Sequence, residues 1–295
     1  MNPSLSLNVV RDVRQLFDYP FMVNALQAGT LVAIAGALVG WYMVLRRQSF
    51  AGHTLSVMAF PGAAAAAWAG VPLAYGYYAA CTLAALTLGR SRSRWRDARS
   101  AESAAIGIVQ AAGLAVGFLF LSLAKSVLSG LEDLLFGSFL GISDGQVRTL
   151  LLVCLLVGLI VALSARPLLF ASVDPTLAAV RGVPVRLLSA GFLLVLGLAV
   201  AAISQITGVL LVFALLVGPA ASAQALTARP LAGLALSVTF ALATCWLGLG
   251  LAYYSPYPVG FFIASVAFAL YVVARLVQAL RERRLARAPR LGLAA

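Results

Sequence analysis

"LLSAGFLLVLGLAVAAISQITGVLLVFALLVGPAASAQAL", residues 187–226, carries no charged side chain from end to end. A hydrocarbon core about 30 Å thick is crossed by about 20 apolar residues, because a helix rises about 1.5 Å per residue. The stretch is therefore about twice too long for one crossing, and Gly208 near its centre divides it into Leu187–Thr207 and Val209–Leu226. Reading outward finds seven further apolar runs, Phe21–Leu45, Thr54–Gly70, Val71–Leu88, Ala104–Leu128, Val147–Ala165, Leu231–Tyr254 and Val259–Leu280. The runs are continuous rather than alternating with polar residues, which argues for helices and against porin-like strands. The expected fold is an all-α polytopic bundle of about nine spans, eight to ten if Gly208 or "GVPLAYG" (70–76) is divided differently. Composition agrees, with 62% hydrophobic residues, 10% charged and a mean hydropathy of +1.00, far from an ordinary soluble domain.

Charge sets the expected orientation, since loops rich in lysine and arginine are retained in the cytoplasm. Basic residues follow the first, third, fifth, seventh and ninth spans, and only Arg11, Arg14, Lys125 and Arg148 of the 21 fall on the other side. This places the N-terminus outside and the C-terminus inside. The net charge of +12 and the run "GRSRSRWRDARS" (89–100) then read as cytoplasmic surface held against anionic lipid, with no nucleic acid required. Residues 1–19 form an expected interfacial helix, with Val9, Val10, Val13, Leu16 and Phe17 on one face and Arg11, Asp12, Arg14, Gln15 and Asp18 on the other. The apolar run after them is too long for the core of a signal peptide. Residues 20–280 make the membrane domain and 281–295 a basic cytoplasmic tail.

The chain offers little chemistry of its own. All nine acidic residues lie at span ends or in loops, so no carboxylate is available inside the membrane for a proton relay. A phosphate-cradling loop of the form GxxxxGK[ST] is absent, because the only lysine, Lys125, follows Ala124 and stands six residues after Leu119, where the glycines should be. No ATP hydrolysis and no bound cofactor are expected of this chain. Cys81, Cys154 and Cys245 sit singly inside spans and read as packing residues. "GISDG" (141–145) fits the GxSxG pattern with Ser143 as a nucleophile and His53 as the sole imidazole, a remote intramembrane serine hydrolase reading. Ser143 reads better as a helix N-cap, with Asp144 favourable at the positive helix end.

Two places stand out. "ASVDPTLAAVRGVPVRLLS" (171–189) holds a short helix opened by Asp174 and Pro175 and closed by Gly182. Its apolar residues Leu177, Ala178 and Val180, with Arg181 at the rim, suit docking into a groove on a soluble partner; the plain alternative is a connector. The second place is "RRQSFAGHTLSV" (46–57), where the only histidine, His53, opens a span.

The chain resembles the membrane subunits of bacterial ABC importers for zinc, manganese and related transition metals, from about Met22 to Leu280. The resemblance is carried by "MVNALQAGTLVAIAGALVGWYMVLRRQSFAGHTLS" (22–56), "AIGIVQAAGLAVGF" (105–118), "LLFGSFLGIS" (134–143), "DPTLAAVRGVPV" (174–185), "LLVGPAASA" (215–223) and "YPVG" (257–260). It implies a permease of the bacterial inner membrane, usually homodimeric, with two cytoplasmic ATPase subunits that bind ATP and an extracellular or periplasmic metal-binding protein that delivers the ion. Asp174, Leu177, Ala178, Arg181 and Gly182 would then form the loop that meets the ATPase. The family commonly places an acid and a histidine four residues apart after the first span. Here His53 stands in the acid's place and Val57 in the histidine's, and Gln110 stands where relatives often carry histidine. His53 from two copies, facing across a dimer axis, would offer imidazole nitrogen to zinc, the expected cargo ahead of manganese and iron. The other role for His53 is a cap or hydrogen bond at the start of the second span. Outside this class, the alternative is a secondary carrier for a small solute.

Overall fold

A computed structural model of the chain describes residues 17–94, 99–124, 135–137 and 141–287. These residues form α-helices and contain no strand: α1 (Pro20–Leu45), α2 (Ser49–Trp68), α3 (Leu73–Arg94), α4 (Arg99–Leu123), α5 (Asp144–Val173), α6 (Pro175–Val180), α7 (Val185–Leu226), α8 (Pro230–Tyr253) and α9 (Val259–Arg287). Local chemistry sets the starts. Pro20, Pro175 and Pro230 occupy the first turn of α1, α6 and α8, where a missing N–H costs nothing. Ser143 caps α5 in a reciprocal capping box with Gln146. Pro61, Pro167 and Pro219 lie inside helices without ending them. That is tolerated in membranes, where neighbouring groups take up the freed carbonyls.

The opening stretch becomes α7, the centre of the bundle, packed against α1, α2, α3, α5, α6, α8 and α9. It is continuous except at Gly208, whose φ of 68° and ψ of 167° lie outside the helical region. Near one end of α7, the Arg46 guanidinium donates to Ser189 Oγ at 2.6 Å; near the other, Gln224 Nε2 donates to the Trp41 carbonyl at 2.8 Å. Both ends of α7 therefore sit by the same end of α1, and the chain folds back at Gly208. Each arm, at about 1.5 Å per residue, is roughly 27–35 Å long, one membrane thickness. The apex is covered by residues 135–137. A Cβ on Gly208 would overlap the backbone of Leu135 and Gly137, and one on Gly137 (φ 78°) would overlap Ile206–Gly208.

Among the described residues, six helices are long and apolar enough to cross a membrane by length and composition, namely α1, residues 106–123 of α4, α5, α7, α8 and residues 259–283 of α9. The nine expected crossings counted α2 and α3 separately and divided α7. The structure supplies the division as a hairpin, while α2 and α3, at 20 and 22 residues, are long enough but less apolar. Only 11% of the apolar window in α4 and 17% of that in α5 is buried, against 72% in α7. Large apolar surfaces facing outward are costly in water and normal in lipid. The expected interfacial helix falls almost wholly outside the described residues. Helix α9 continues through Arg287 into the segment read as the basic tail, and residues 288–295 lie outside the described residues. The arginine-rich segment at 90–99 is largely the facing ends of α3 and α4, with 95–98 outside the described residues.

Candidate functional site

His53 lies in the second turn of α2, exposed, with its ring edge-on to Phe213 of the second α7 arm at 5.3 Å between centroids. It does not cap α2, because Gln48 holds the N-cap position. Thr54, its neighbour, is buried and accepts from Gln110 Nε2 of α4 at 3.1 Å, while donating to the Phe50 carbonyl. Gln110 is thus a tie between α2 and α4, and does not join His53. Val57 sits one turn beyond His53, half-buried. No group of three or more His, Cys, Asp or Glu side chains that could hold a metal ion occurs among the described residues. Within one chain, His53 is therefore a single imidazole on an open face.

Ser143 and His53 belong to different parts of the bundle. Ser143 Oγ accepts from the Gln146 backbone N–H, and its neighbour Asp144 accepts from Asn24 Nδ2 at 2.8 Å near the start of α1. His53 follows the other end of that helix, which at 26 residues is about 39 Å long. A nucleophile and base need hydrogen-bond reach, so no hydrolase site exists there.

The helix at 175–180 forms as its residues dictate. Asp174 accepts from the Leu177 N–H at 2.9 Å, Pro175 occupies the first turn, and Gly182 adopts φ 80° past the end. Val183 N–H bonds the Ala178 carbonyl and Gly182 N–H the Ala179 carbonyl, a closure that requires a left-handed residue between them. The outward apolar surface is Leu177 (45% exposed) and Val180 (80%). Ala178 is fully buried, so the structure corrects the reading of it as an anchor for a partner: it seats α6 on its own bundle. The helix repeat puts 177 and 180 together on one face and turns 178 away. Arg181 is exposed beside them.

Two participants were not visible in the sequence. Phe213 meets His53 across most of the chain, and no local signal marks that pairing. Gln48 ends the turn after α1 and is 5% exposed, although it follows two arginines in what reads as a surface loop. The turn closes through Arg47 N–H to the Val44 carbonyl and Gln48 N–H to the Met43 carbonyl, with Arg47 at φ 55°. A glycine would normally mark such a place.

The chain matches the ABC 3 transport family over residues 18–278. It is 30% identical over 260 residues to the manganese transport system membrane protein MntC of Halalkalibacterium halodurans, covering 88% of each chain. It is 33% identical over 243 residues to the chelated iron transport system membrane protein YfeC of Yersinia pestis, covering 81% of this chain and 80% of that one. Among solved structures it is similar to PsaBC from Streptococcus pneumoniae in complex with Fab, with a TM-score of 0.81 and 26% identity over 92% of this chain and 99% of the other.

Proposed function

Because the chain belongs to the ABC 3 transport family, we propose that it is the membrane permease of an ATP-driven importer of a divalent transition metal. It is a multi-pass transport subunit of the bacterial cell membrane and not itself an enzyme. Cytoplasmic ATPase subunits would supply hydrolysis, and a metal-binding protein outside the membrane would supply the ion. The chain would cross nine times, with α2, α3 and the two arms of α7 as separate crossings, the N-terminus outside and the Arg46 end of α1 in the cytoplasm. Two copies would form the pore, with α6 of each facing an ATPase. The observation that carries this reading is the match over almost the whole chain, taken together with the exposed apolar face of α6. The secondary carrier reading has no such support.

His53 is the residue proposed to meet the cargo. Its imidazole nitrogen suits zinc, whereas carboxylates, absent from this face of α2, would favour manganese. The relatives named above carry manganese and chelated iron, so the order zinc, manganese, iron is the point to measure. The test is metal uptake into vesicles containing the permease and its ATPase, with each ion as competitor. Uptake should need ATP and the ATPase; accumulation by the permease alone under an ion gradient would overturn the reading. In the same vesicles His53→Ala should slow zinc uptake several-fold while basal ATP hydrolysis and assembly stay intact. Equal rates in both proteins would leave His53 as a packing partner of Phe213 only.

A further inference from the structure

Helix α5 packs on the first arm of α7 with a gap left between them. The cavity measures about 190 Å³, with Ile160, Val161 and Leu168 on one wall and Leu187, Phe192 and Val195 on the other. Its one polar side chain is Ser164, whose hydroxyl already donates to the Ile160 carbonyl at 2.6 Å. A polar guest would shed its water there and gain no hydrogen bond from a side chain in return. Gly191 lines the same space, and a Cβ on it would meet nothing within 4 Å.

Size and place narrow the occupant further. The lining runs along α7 from Pro184 to Val195, about 16 Å of helix. That is one leaflet of a hydrocarbon core about 30 Å thick. A helix, about 10–12 Å across with its side chains, is too wide to enter such a slot. A second copy is directed elsewhere in the arrangement proposed above. Copies that meet across His53 meet at α2, which packs chiefly on α3, α4 and α7, whereas α5 packs on α1, α6 and α7. Charge chooses among lipids. Residues 164–195 carry Arg166, Arg181 and Arg186, all exposed, against one acid, Asp174, whose carboxylate is taken up in capping α6.

We propose that this cavity holds an acyl chain of an anionic phospholipid from the cytoplasmic leaflet. Its phosphate sits at the Pro184 end, where Arg181 and Arg186 flank that proline in the chain and offer charge-assisted hydrogen bonds. Helices α5 and α7 are the two that α6 joins, so the lipid chain becomes part of the packing that seats α6. The inference rests on the proposed orientation for the choice of leaflet, and on nothing about the cargo.

The test uses the full chain purified in detergent, with phosphatidylglycerol and phosphatidylcholine as probes. Native mass spectrometry should show one phosphatidylglycerol retained, in about 10-fold preference to phosphatidylcholine. Gly191→Leu puts a side chain into the cavity from regular helical backbone with open space before it. This variant should retain about 10-fold less lipid and, unlike the unaltered protein, gain no melting temperature when phosphatidylglycerol is added. Arg181→Gln combined with Arg186→Gln should remove the preference between the two lipids. Equal retention by the unaltered protein and Gly191→Leu, or no preference in the unaltered protein, would overturn the proposal. If Gly191→Leu fails to fold, phosphatidylglycerol with a photoreactive group in its acyl chain, in vesicles of the unaltered protein, is decisive. It should label the peptide containing Leu187, and labelling confined to other helices would overturn the site. ATP-dependent uptake plays no part in these measurements, so their failure leaves the transport reading standing.

Discussion

Leu177→Asp is expected to abolish co-purification of the ATPase while leaving the permease folded and in the membrane. The side chain is 45% exposed in the free chain, so a carboxylate there is solvated until a partner covers it. Docking would then bury an uncompensated charge, at a cost on the order of several kcal/mol, enough to remove stable association at ordinary concentrations. Ala178→Asp is the contrasting variant. Ala178 faces its own bundle, so the charge should detach α6 and lower the stability of the permease itself. Arg90→Glu, near the end of α3, should weaken ATPase binding much less, because a charge at the rim of an interface usually contributes about 0–1 kcal/mol. Pull-down with each variant, alongside thermal melting of the permease, separates these outcomes. Retention of the ATPase by Leu177→Asp with loss in Arg90→Glu would move the docking surface from α6 to the arginine-rich ends of α3 and α4.

The second large effect is expected at Gly208. Its backbone angles belong to a region essentially restricted to glycine, where a side chain costs roughly 1–3 kcal/mol. Gly208→Ala also drives a methyl group into the backbone of Leu135 and Gly137, and main chain cannot step aside by changing rotamer. The two costs add to a sizeable part of the 5–15 kcal/mol that typically holds a domain together. Gly182→Ala is the control, because Gly182 shares the positive φ (80°) but a Cβ there meets nothing within 4 Å. Size-exclusion profiles and melting in detergent should show Gly208→Ala aggregated or strongly destabilised and Gly182→Ala only mildly so. Equal behaviour would mean that the cover over the apex contributes little.

What was legible in the sequence follows from the physics that acts locally. An uncharged run twice the length of a span has few ways to lie in a bilayer, so residues 187–226 with Gly208 at the centre announced a hairpin. Asp174, Pro175 and Gly182 act on backbone groups within a few residues of themselves, so α6 was readable to its closing turn. The burial of Ala178 was not, because it depends on which side of a six-residue helix meets the bundle, and six residues carry too few apolar positions to show a stripe. The partners of His53 and Gln110 were hidden for a related reason. Phe213 and Thr54 are distant in sequence, and in lipid an apolar residue facing a neighbour looks the same as one facing acyl chains. The burial of Gln48 was hidden because the arginine pair before it gives no local sign that the left-handed Arg47 turns the chain inward within a single residue.

The one-residue turn of α7 also constrains how the protein is made. With no polar linker between the arms, no hydrophilic segment is left to protrude once the pair is in the bilayer, and one arm cannot settle while the other waits in water. The two must partition together as a helical hairpin, their direction fixed from outside the stretch by Arg186 and Arg229, the charges that flank it. An epitope tag or protease site placed at Gly208 would therefore report on a protein that never completed insertion. The short bend after Trp68, where Gly70 has open space around it, is the place on this chain for such a probe.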